Sequence, residues 1–151
     1  MTVLLTAQLV LVGLLAGEEF VVRWGVQPAL TRLPDDAHVR ARIALVQRLK
    51  VVVPILMLPA VLATVAVLVV AGAGPGLGWR IASAAALLAF LLASFLGTVP
   101  INIGVNDWDA DAPPSDWRDV VRRWERIDVL RSTAAGVAFV LAVIATVQLL
   151  D

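Results

Sequence analysis

Residues Val51–Ala71 read VVVPILMLPAVLATVAVLVVA, with no charged side chain among them. That is the length a helix needs to cross ~30 Å of hydrocarbon, about 20 residues. Three further runs are of similar length and apolarity: Thr2–Val22, charged only at Glu18 and Glu19, Ile81–Ile101 and Ser132–Leu150. Four spans in 151 residues leave no room for a separate soluble domain. The mean hydropathy is +0.91 and charged residues make up 16% of the chain, against about 25% in soluble domains. The sequence therefore predicts an all-α fold, a four-transmembrane-helix bundle forming one integral membrane domain over residues 1–151. Its spans are expected at about 2–24, 38–72, 79–106 and 116–150.

Working outward from Val51, the preceding stretch His38–Lys50 alternates basic and apolar residues. It predicts an amphipathic extension of helix two, started by Asp35 or Asp36. Pro54 and Pro59 should kink that helix, which membrane helices tolerate when neighbours cover the freed groups. Gly72-Ala73-Gly74-Pro75-Gly76 is a tight turn, so helices two and three should pack as an antiparallel hairpin. Gln27-Pro28 and Leu33-Pro34 punctuate the first loop. Pro113-Pro114 breaks the third, after which helix four should open with its own amphipathic part, Asp116–Arg131. No basic segment precedes the first run, and Ala16-Gly17-Glu18-Glu19 is a poor cleavage site, so that run reads as a retained span.

The basic residues predict sidedness. Eleven of the twelve flank loops one and three, and only Arg80 flanks loop two. Loops one and three are then cytoplasmic, and both termini lie outside. All five tryptophans fall at or beyond span ends, which predicts that they sit at membrane interfaces. Small residues, Ser83, Ser94 and Gly97 in helix three and Ala135, Gly136 and Ala142 in helix four, allow close helix contact.

Composition excludes much chemistry. The absence of cysteine removes disulfides, thiolate catalysis, iron–sulfur clusters and thiolate-ligated haem. The single histidine, His38, falls in a polar helix start and reads as a surface residue, so haem is disfavoured. The net charge is zero, and no basic surface argues for nucleic acid. Asp107, Asp109 and Asp111 mimic the start of a calcium loop, but Ala112 and Arg118 stand where Gly and Glu are required. They read as a solvated loop.

The polar groups concentrate in Thr98–Thr133, which holds both asparagines and five of the twelve basic residues. Asn102 and Asn106 are four apart on one helix face. They either satisfy backbone groups freed by Pro100 or point into a polar pocket. Glu125 and Asp128 are three apart, with Arg131 three further on. Two carboxylates so spaced resemble the ligand pairs of metal-binding bundles. The plain alternative is an Asp128–Arg131 ion pair. Glu18 and Glu19 lie near the same end of span one. Acids inside a span face the bundle and take a partner, and Glu19 has Arg23 four residues on. The last expectation is that Glu125 and Asp128 face span one, within reach of Glu18 or Glu19.

Three segments, Gly13–Leu33, Thr98–Trp108 and Trp117–Arg131, carry a family resemblance. The chain is similar to the anthrone oxygenase-like family of small four-span membrane proteins. Its Val-Pro-Ile-Asn element and its Arg-Trp-Glu-x-x-x-x-x-Arg pattern are the most specific parts. The resemblance implies oxygenation of an activated aromatic such as an anthrone. It matches Pro100, Asn102, Trp124, Glu125 and Arg131. It departs at Asp128, where the family commonly has histidine.

The leading functional expectation is an integral-membrane oxidoreductase acting on a lipophilic small molecule near the cytoplasmic end of the bundle. Asn102 and Asn106 would orient the substrate and Arg131 would stabilise negative charge. Glu18, Glu19, Glu125 and Asp128 would take a proton or bind iron or manganese, hard ions that oxygen ligands suit, if any metal is used. The partners expected are the bilayer and a lipophilic substrate, with room for a homo-oligomer and none for nucleic acid. The alternative is a non-catalytic membrane partner whose polar cluster only fixes packing. A small transporter comes third, since no inverted repeat is evident.

Overall fold

A computed structural model describes residues 1–150. Four long helices make up nearly all of it: α1 (Thr2–Leu30), α2 (Asp35–Ala71), α3 (Leu77–Asn106) and α4 (Trp117–Leu150). All four are long and apolar enough to cross a membrane, so the chain is an integral membrane protein. Sequence neighbours pack side by side, and α4 closes the ring against α1. The α3–α4 seam is the most extensive and the α2–α3 seam the thinnest.

Each helix buries a stripe at alternating three- and four-residue steps. On α1 the stripe is Leu5, Gln8, Val12, Leu15, Glu19 and Val22. On α4 it is Trp117, Val121, Trp124, Asp128, Arg131, Ala135, Ala138, Ala142 and Ala145. That step is the seam of left-handed helix packing. The central core joins Val12, Leu15, Met57, Ala60, Leu87, Phe90, Ala135 and Ala138. Alanines on α4 let the backbones approach, as they must where lipid offers no hydrophobic drive to association. Ser83 uses that closeness and donates to the Ala138 carbonyl at 2.8 Å.

Two glycines are required by position. Gly76 has φ 73°, and a Cβ there would meet the Ala145 carbonyl oxygen at 2.9 Å. The expected hairpin turn thus also docks on α4. At Gly97 a Cβ would meet Ile127 at 2.8 Å, where α3 and α4 cross.

The helix limits differ from expectation in one place. The first helix does not stop at Trp24. It passes through a π-helical turn, Val22–Val26, and continues to Leu30. Pro28 is tolerated because it stands in the first turn of the segment that follows, where its missing N–H is not required. A second π-helical turn, Ser94–Thr98, interrupts α3. The loop acids behave as expected for a solvated segment: Asp111 is exposed and pairs with Arg40 at the surface.

Because the chain has no cysteine, sidedness has a direct test. A single thiol placed at Gly74 should label from outside intact cells. One placed at Asp109 should label only after permeabilisation. The reverse pattern would overturn the assignment of loops one and three to the cytoplasm. Asp151, an alternative reporter position, lies outside the described residues.

Candidate functional site

The buried stripes turn polar at one level of the bundle. Glu19 on α1, Ser94 on α3, and Asp128 and Arg131 on α4 meet there, each 5% exposed or less. Arg131 organises them. Its Nε donates to Ser94 Oγ at 2.9 Å and its Nη2 to Glu19 Oε1 at 2.5 Å. Its Nη1 lies 3.7 Å from Asp128 Oδ1. The guanidinium also sits 5.1 Å over the Phe90 ring. The π-helical turn explains how α3 contributes. The extra residue rotates Ser94 and Thr98 onto the buried side in succession, and such turns are frequent at functional sites.

Arg131 also borders a cavity of about 460 Å³ in the thin α2–α3 seam. Ser94, Thr98, Asn102 and Asn106 line it from α3, and Lys50 stands at its edge on α2. The remaining wall is apolar, with Pro54, Met57, Phe95 and Ile103. Phe95, Ile103 and Leu58 are more than half exposed, so the cavity opens sideways where lipid would lie. A mostly apolar hollow with a few converging polar groups is the usual form of a small-molecule site.

Asn102 has a fixed orientation. Trp124 Nε1 donates to its Oδ1 at 2.8 Å, so the amide nitrogen is left free to donate. Asn106 differs: its buried Oδ1 has no partner. Both asparagines line the cavity.

A second buried cation lies nearby. Arg42 on α2 is 1% exposed. It donates to Gln27 Oε1 at 2.8 Å, lies 3.7 Å from Glu125 Oε1 and 3.5 Å from His38 Nε2, and covers the Trp124 ring at 5.0 Å. Trp124 therefore joins the Arg42 group to Asn102 and the cavity.

Several expectations need correction. Glu19 does not pair with Arg23, because the buried stripe carries it inward to Arg131. Arg23 instead bonds Ser132 and Thr133 across the α1–α4 seam. Asp128 does face α1 as expected, but Glu125 turns to Arg42. His38 is not a surface residue: it is buried edge-on against Trp117, ring centroids 5.2 Å apart. The tryptophans do not all face outward. Trp24 and Trp79 are exposed, whereas Trp117 and Trp124 are 7% and 1% exposed. Their position along the axis suits an interface, but their position around it points inward.

The carboxylates do not assemble as a metal ligand set. Among the described residues, no three of His, Cys, Asp and Glu are gathered to hold an ion. Glu19 and Asp128 face Arg131 and Glu125 faces Arg42, while Glu18, the fourth candidate, makes no ion pair among the described residues and keeps a buried Oε2 without a partner.

The four-span architecture and this polar level define the class: an integral membrane helix bundle with a mostly apolar cavity in its side. The anthrone oxygenase profile matches residues 44–141, about two thirds of the chain, and the protein belongs to that family. The matched range contains Asn102, Asn106, Trp124, Glu125, Asp128 and Arg131, while the Glu18–Glu19 segment lies before it. Comparison with curated proteins and with solved structures returned no match.

Proposed function

We propose that the protein oxygenates a lipophilic aromatic small molecule that carries an acidic CH₂ across the ring from a carbonyl and conjugated with it through the fused aromatic rings, as in an anthrone. The observation that carries this reading is the α2–α3 cavity, apolar and open toward lipid, with Arg131 and the Asn102 amide nitrogen as donors. The substrate passes a proton from the CH₂ to a water molecule to become an enolate, and the charge moves to the carbonyl oxygen. Arg131 and Asn102 stabilise that oxygen. Donors already in place inside a dry site favour the anion far more than they would in water. The enolate carbon then bonds to O₂. Proton uptake gives a hydroperoxide, and loss of water breaks its O–O bond and the remaining C–H bond. The CH₂ and O₂ have become C=O and H₂O, so atoms and electrons balance. Glu19 and Asp128 hold Arg131 in position. Asn106 offers an acceptor to a substrate hydroxyl through its unpartnered Oδ1.

The test is oxygen uptake and quinone formation from an anthrone, with the protein in lipid nanodiscs. The expected result is one O₂ per quinone at a rate above spontaneous oxidation, falling about a hundredfold in Asn102→Ala. No acceleration by the wild-type protein would sink the oxygenase reading. The self-contained pairing of Glu19, Asp128 and Arg131 would then favour a structural cluster in a non-catalytic membrane partner.

A further inference from the structure

A second hollow, of about 400 Å³, runs between α1 and α4 on the bundle's outer surface. Its chemistry changes steadily along its length. At the arginine-rich end stand Arg23, Trp24 and the hydroxyls of Ser132 and Thr133. Deeper in come Phe20 and Gly136, then Val140. The two antiparallel helices give the same order independently. From Thr133 to Leu141 the groove follows α4 for about 12 Å.

Depth fixes what this end meets. Arg23 lies 21 residues beyond Thr2, about 31 Å along the helix, which matches the ~30 Å hydrocarbon thickness. With the arginine-rich end of the span at the bilayer boundary, as basic residues at span ends imply, the guanidinium comes within reach of headgroups. It is also held in place. Its Nη1 donates to Ser132 Oγ at 3.0 Å, Thr133 Oγ1 at 3.2 Å and the Val129 carbonyl at 3.3 Å, and Trp24 lies 4.8 Å beneath it.

Arg23 nonetheless forms no ion pair of its own, although Asp128 lies close enough to feel its charge. The acid spaced to neutralise it, Glu19, is turned to Arg131. Among the described residues, no carboxylate oxygen lies within 4.0 Å of its nitrogens. Below it the groove floor is open: a Cβ on Gly136 would meet nothing within 4 Å. A pinned cation over an apolar channel, within reach of headgroups, complements a phosphate with an attached hydrocarbon chain.

We propose that the α1–α4 groove holds one anionic phospholipid, its phosphate on Arg23 and one acyl chain over Gly136. The site is separate from the α2–α3 cavity and does not rest on the oxygenase reading. The lipid comes from the leaflet on the arginine-rich side.

The probe is phosphatidylglycerol against phosphatidylcholine. The protein is taken from nanodiscs containing equal amounts of the two lipids, and the lipid retained per chain is read by native mass spectrometry. Wild type should retain close to one phosphatidylglycerol. Arg23→Gln should lower that retention about tenfold, the loss of one charge-assisted contact. Gly136→Leu should abolish it by filling the groove, without disturbing the bundle, since its side chain enters open space. Equal retention of the two lipids, or unchanged retention in both variants, would overturn the proposal. So would disulfide-linked dimers from a single thiol at Val137 in a chain that retains no lipid, which would make the groove a contact between copies.

Discussion

Replacing Arg131 with methionine should destabilise the bundle by about 3–5 kcal/mol, the usual cost of removing one partner from a buried ion pair. The size follows from what is left behind. Glu19 and Asp128 are each 1% exposed. With the guanidinium gone, neither has a cation within bonding distance, and Ser94 loses its donor from Arg131. Carboxylates at this level of a membrane bundle have little water to turn to. The double variant Glu19→Gln with Arg131→Met should recover part of the loss, because methionine fills the volume and the amide carries no charge. Unfolding in mixed detergent micelles, run as a double-mutant cycle, measures the coupling. A loss under about 1 kcal/mol in Arg131→Met would mean that the cluster is solvated and that Arg131 does not organise it.

The same cluster marks how far the sequence could be read. Membrane class and helix number were legible because hydrocarbon thickness sets a length, and four apolar runs meet it. The hairpin turn was legible because Gly72 and Gly76 need positive φ. Partner choice was harder. Glu19 and Arg23 are four apart, and that local spacing argues for a pair. Tertiary packing overrides it, since Glu19 continues the stripe Leu5, Gln8, Val12 and Leu15 while Arg23 falls beside it.

That stripe is itself a sequence signal. Stepping by three and four from Trp117 along α4 reaches Trp124, Asp128 and Arg131 and passes by Glu125. Read this way, the chain separates Asp128 from Glu125 and places Trp124 inside. The same steps along α2 pick out Val39, Arg42, Val46 and Leu49, which would have raised Arg42 as a site residue. Gln27 had no such signal. It enters the site only because the π-helical turn carries the first helix past Trp24, and no residue between Val22 and Val26 announces that turn. The shift of α3 register at Ser94–Thr98 was equally silent, and it brings Ser94 to Arg131.

Trp124 supplies the second large effect, and it separates packing from site geometry. Trp124→Ala should cost about 3–5 kcal/mol, the range for removing a large buried aromatic. The ring packs with Val22 and Leu49 and lies under Arg42. Trp24→Ala is the control, since that ring is 61% exposed and its loss should change stability little. Trp124→Phe makes the finer cut. Phenylalanine keeps an aromatic face for Arg42 but has no N–H for Asn102. Stability should fall by only about 1 kcal/mol, the net value of one hydrogen bond. The larger consequence falls on the cavity. Without the indole donor, Asn102 Oδ1 is unpartnered and the amide is free to turn, so its nitrogen no longer points dependably at a bound oxyanion. Binding of an anthrone-like ligand to Trp124→Phe should weaken while the bundle stays folded, as read by ligand titration beside thermal unfolding. If Trp124→Ala is no worse than Trp24→Ala, the ring is not a core residue. If Trp124→Phe binds the ligand as wild type does, the Trp124–Asn102 contact plays no part in the site.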